Sequence, residues 1–182
     1  MTDEELLRRS EIAFSELYVS LGRCTARLQF VELALTQLLA VVSVTDKTGD
    51  DASPRRLRLD TAQRELRRKT LGQLVGEMQN LPDGPSSPLT EEFCEEVRQL
   101  NKKRIWAIHS CTDEIDEQIV DNDTRRAFCQ RIDAVTFQAG LLQERISTLM
   151  ADFLARQGVD IEGARQRANA RMKNAMGVSF DA

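Results

Sequence analysis

One histidine, His109, occurs in the chain, five residues after Arg104 in the segment Arg-Ile-Trp-Ala-Ile-His. An imidazole titrates at about pH 6.5 and exchanges protons near neutrality, whereas a guanidinium stays cationic and forks onto phosphate oxygens. Together the two groups could cleave an RNA phosphodiester without a metal, the imidazole moving a proton and the guanidinium offsetting charge on the reacting phosphate. An arginine and a histidine at this spacing also occur by chance in many helical proteins, so the spacing alone does not choose between catalysis and packing.

Both residues fall late in a predicted helix that starts at Thr90, a capping hydroxyl followed by Glu91, Glu92 and Phe93. Its apolar stripe runs Phe93, Val97, Leu100 and then Arg104 and Ile108. Five residues turn an ideal α-helix by roughly 140°, so Arg104 and His109 share a face only if the helix ends or loosens between them. A guanidinium on the packing stripe needs an acidic partner or solvent; Glu96 and Glu32 are candidate partners, and a cleft between two subunits would supply solvent. Asn101, Lys102 and Lys103 stand just before the arginine, where the lysines suit either an RNA backbone or the negative end of the helix dipole. Trp106 suits either a base stack or core packing.

The remaining elements are legible as stripes. Thr2 with Asp3, Glu4 and Glu5 starts a long first helix, whose apolar positions Phe14, Leu17, Leu21, Cys24, Leu28, Val31, Leu35, Leu38 and Val42 alternate steps of three and four. Gly22 lies off this stripe and marks either a bend or a close contact. Residues 45–54 read as a loop, and a second helix runs to about Asn80, either bent near Thr70 or using Gly72 and Gly76 as a face for close helix approach. Three prolines between Leu81 and Leu89 make a connection, and residues 111–123 make another, with room for one helical turn at 114–120. A last long helix carries Phe128, Ile132, Val135, Ala139, Leu142, Ile146, Leu149 and Phe153, and Gly158 stops it. Residues 161–176 can form a short further helix. No alternating β-branched run competes, so the expected fold is all-α: an up-and-down bundle of four main helices over 1–157, with a C-terminal extension over 158–182.

A chain of 182 residues can bury a core without staples. Its four cysteines are scattered, with no Cys-x-x-Cys pair, so neither a zinc site nor a disulfide framework is suggested, and Cys24 and Cys129 read as core thiols in a reducing cytoplasm. The acidic opening lacks the pattern of a secretory signal, and the apolar stretch 33–44 is too short for a bilayer, so no membrane anchor is expected. The net charge of −4 argues against a general polyanion binder, although residues 54–69 carry a local excess of five positive charges, readable as a phosphate-attracting patch or as a solvated helix face.

The segments Lys69-Thr-Leu-Gly-Gln-Leu74 and Leu100-Asn-Lys-Lys-Arg104-Ile-Trp-Ala-Ile-His109, with helix order and length over about residues 10 to 155, resemble the HEPN (higher eukaryotes and prokaryotes nucleotide-binding) domains. These helical bundles include bacterial RNase toxins and abortive-infection proteins with an Arg-x4-6-His pattern. The resemblance implies a homodimer in which Arg104 and His109 of both chains meet in one cleft, with no metal or cofactor. His109 would help take the proton of a ribose 2′-hydroxyl and Arg104 would orient the scissile phosphate, leaving a 2′,3′-cyclic phosphate. It further implies a toxin or phage-defence role, with a cognate nucleotidyltransferase antitoxin as a possible partner. Ile105 departs from the pattern, because active members commonly carry a polar residue there, often Asn; Asn101 is positioned either to replace that hydrogen bond or to pack or cap. Two other readings stand beside the nuclease: a silent module binding RNA, a nucleotide or protein, and a helical scaffold in which Arg104 is only an ion-pair partner.

Overall fold

A computed structural model describes residues 3–46, 55–81, 87–111, 114, 121–163 and 166. All regular elements among them are helical: α1 (Asp3–Asp46), α2 (Arg55–Leu66), α3 (Leu71–Gln79), α4 (Glu91–Ile105), a π-helical turn (Trp106–Ser110) and α5 (Asn122–Arg156). Thr2, the expected start of the first helix, and most of the 111–120 connection lie outside the described residues.

The long helices owe their packing to the stripes that the three-and-four spacing lays along them. On α1, Leu17, Cys24, Leu28, Val31, Leu35, Leu38 and Val42 are all buried, and on α5 so are Ile132, Val135, Ala139, Leu142, Ile146 and Phe153. Each large apolar side chain withdrawn from water in this way contributes roughly 1.5–3 kcal/mol. Phe14 departs from the expected stripe and is exposed. Its ring stacks on that of Tyr18, 6.4 Å away and also exposed.

The pairing pattern also fixes direction. Glu16 meets Arg125, and eleven residues later Arg27 donates to Gln143, so α1 and α5 run parallel. On α4, Glu96 meets Arg145 and Lys103 meets Gln138, so α4 is antiparallel to α5. Four up-and-down helices would set the first and last antiparallel. The count differs because the expected second helix is two helices, interrupted after Leu66 and restarted at Leu71. Thr70 is in extended conformation there, and its N–H donates to the Gln73 side chain at 2.9 Å, half of a capping arrangement that opens α3.

The glycines divide. A Cβ on Gly72 would lie 3.4 Å from Asn101 Nδ2, so α3 and α4 approach closely at this point, whereas Gly22 and Gly76 face open space. Gly158, with φ of 76°, ends α5 in the left-handed conformation, and the N–H groups of Gly158 and Val159 return to Ala155 and Leu154. Residues 161–163 are again helical.

By length and composition, Phe14–Thr45 would suffice to cross a membrane, a wider span than the 33–44 stretch considered on sequence alone. In the fold its apolar stripe is core. Of the cysteines, Cys24 and Cys111 are buried, while Cys129, expected in the core, is half-buried.

Candidate functional site

Helix α4 carries the candidate residues, and its sequence dictates how. The Thr90 hydroxyl accepts the Phe93 N–H at 3.3 Å, Glu91 and Glu92 sit in the first turn, and Lys102, Lys103 and Arg104 occupy the last, all complementing the helix dipole. Phe93, Val97 and Leu100 are buried. The next step of four along that stripe is Arg104, whose stem is drawn inward by its place on the packing face.

The guanidinium finds the acid that this position demands. Arg104 Nε lies 3.3 Å from Glu32 Oε1 on α1, and the two side chains retain 20% and 23% of their exposure. The same carboxylate oxygen accepts the Leu71 N–H at 3.0 Å. One glutamate therefore ties three elements together: it belongs to α1, it takes an otherwise unsatisfied amide at the start of α3, and it orients an arginine of α4. Glu96, the other acid within sequence reach, is engaged with Arg145 instead.

Beyond Arg104 the helix changes pitch. The Cys111 N–H bonds to Trp106 O at 2.8 Å, an i→i+5 closure that widens the turn by one residue. The loosening that would bring residues five apart nearer to one face thus occurs between Arg104 and His109. His109 is exposed within this turn, while Ala107 and Cys111 face the core and the Cys111 thiol donates to Ala107 O at 2.8 Å. Arg104 and His109 share the end of one helix, but the ion pair of Arg104 is with Glu32 and runs inward.

The other candidates separate. Lys102 and Lys103 are exposed, and the Lys103 ammonium donates to Gln138. Asn101 is half-buried beside Gly72 of α3. Ile105 is 47% exposed. Trp106 is engaged within the protein: its ring lies 5.9 Å from that of Phe128, the Arg131 guanidinium sits 3.6 Å from its centroid, and its N–H donates to Glu114 at 2.7 Å. Arg131 also pairs with Glu114 at 2.8 Å, closing a small ring of contacts around the indole. Packing, not a free stacking face, is what this tryptophan presents. Sequence spacing carried no signal for Arg131 or Glu114, which reach Trp106 from another helix and from the connection.

In the basic stretch before Thr70, Arg64, Arg67 and Arg68 are exposed and Lys69 pairs with Glu77. Among the described residues no group of three His, Cys, Asp or Glu side chains is arranged to hold a metal ion. No family model, curated protein or solved structure matches the chain.

Proposed function

We propose that this chain is a metal-independent RNA endonuclease of the HEPN type, acting in the cytoplasm as a homodimer in a toxin or phage-defence role. The observation that supports it best is the π turn over Trp106–Ser110, which begins two residues after a carboxylate-paired Arg104 and holds the sole histidine exposed to solvent. Insertions of this kind in helices cluster at functional positions.

In this reading His109 accepts the proton of a ribose 2′-hydroxyl. The 2′-oxygen attacks phosphorus, the bond to the 5′-oxygen breaks, and that oxygen takes a proton from water while His109 returns its own to solvent, giving a 2′,3′-cyclic phosphate and a 5′-hydroxyl. Arg104 offers five N–H donors, of which Nε serves Glu32; the others are available to the phosphate, so Glu32 acts as a positioning residue. Lys102 and Lys103 steady the RNA backbone, and Asn101 holds α4 against α3 close by. A second copy of the chain brings its own pair to the cleft, and a nucleotidyltransferase is the candidate regulator.

The test is incubation of the purified protein with RNA in EDTA. The proposal expects cleavage that leaves cyclic phosphate ends and falls by roughly 10²-fold or more in His109→Ala and Arg104→Ala. Intact RNA, or equal cleavage by both variants, overturns it.

One observation favours a second reading. Glu32 offsets the charge of Arg104, and Ile105 places an exposed apolar side chain where a polar one is usual, as in a module that binds RNA or protein without turnover. That reading expects salt-sensitive binding with the RNA recovered whole.

A further inference from the structure

A cavity of about 720 Å³ opens between α1 and the first turns of α5, lined by Ser15, Glu16, Arg23, Arg125, Arg126 and Cys129 among others. Its wall is built: Arg125 donates from Nε to Glu16 at 2.6 Å and from Nη2 to Asn122 at 2.7 Å, and only 14% of its side chain is exposed. That pair is electrically balanced. Arg23 and Arg126, which face the same space from two different helices, are exposed and make no ion pair among the described residues, with Asp123 the one other acid in the lining. The lining carries three arginines against two acids, a local excess of one positive charge in a chain of net charge −4, and the two exposed guanidinium groups suit phosphate oxygens.

The groove lies at the end of the bundle that also carries the π turn. Trp106 of that turn packs on Phe128, while Arg126 and Cys129 are near it in sequence but point from other sides of α5 toward the cavity.

We propose that this groove holds phosphates of the RNA strand away from the scissile bond, Arg23 and Arg126 each taking one. The proposal deepens the nuclease reading and rests on it for the identity of the ligand. An open groove with cations on both banks suits a strand passing through.

The experiment uses the full chain carrying His109→Ala, so that the probe survives, and follows a fluorescent single-stranded RNA by anisotropy across salt concentrations. Adding Arg23→Gln and Arg126→Gln is expected to reduce the slope of log affinity against log salt by about 1.4, which corresponds to about 25-fold weaker binding at 0.1 M salt. Arg23→Lys with Arg126→Lys keeps the slope. An unchanged slope in the Gln pair, or no RNA binding by the His109→Ala chain, overturns the groove. The two proposals fail separately: a chain that never cleaves RNA but loses slope in the Gln pair keeps the groove and loses the nuclease, and cleavage with an unchanged slope does the reverse.

Discussion

Replacing Glu32 by alanine removes one oxygen that serves both the Leu71 amide at the head of α3 and the Arg104 guanidinium. Hydrogen bonds to charged groups are worth about 1.5–3 kcal/mol, and a stranded partner adds the cost of its own desolvation. The pair keeps about a fifth of its exposure, so solvent screens part of this and the lower end applies. About 2 kcal/mol is the expected loss, a fall in thermal midpoint of roughly 4–8 °C for a chain of this size. Glu32→Gln keeps an acceptor for the amide and loses the charge, so about half of that loss is expected. Urea unfolding of Glu32→Gln, Arg104→Gln and the double variant closes a thermodynamic cycle, in which the coupling should be about 1 kcal/mol. A coupling below about 0.3 kcal/mol would mean that Glu32 does not organise Arg104, and the positioning role would go with it.

Gly22 lies inside α1 facing open space, so Gly22→Ala should stabilise the chain by about 0.5–1 kcal/mol, whereas Gly158→Ala, at a φ of 76°, should destabilise it; paired thermal melts read both signs. Phe93→Ala empties a fully buried site under α4 and should cost about 3–5 kcal/mol in urea unfolding. Burial raises the Cys24 thiol above its ordinary pKa, outweighing its hydrogen bond with Thr136. The folded state therefore holds that proton where the unfolded chain releases it, and stability should fall as pH rises past about 8.5, less so in Cys24→Ala.

The stripes on α1, α4 and α5 were legible because a 3.6-residue period is written locally, and the caps at Thr90 and Gly158 are single-residue signals. The interruption between α2 and α3 had its signal too, in Thr70 followed three residues later by Gln73, and the break falls where a bend near Thr70 was one of the two expectations. Direction was not legible: that α1 and α5 run parallel depends on Glu16 finding Arg125 across 109 residues of chain. The same holds for the acid beside Arg104. Burial cost demanded a partner, and only tertiary packing chose Glu32 over Glu96. The need for a loosened turn before His109 followed from helix geometry, and the i→i+5 bond that supplies it has no residue-level mark.

The contacts around Trp106 give the molecule an internal optical gauge. The chain has a single indole, three residues before His109, held by Arg131 on its face and Glu114 at its nitrogen. Its emission therefore reads one place only. Ligand entry, subunit association or local opening near the histidine would each shift its colour or quenching with no background from elsewhere, and the unlabelled chain can be followed in real time.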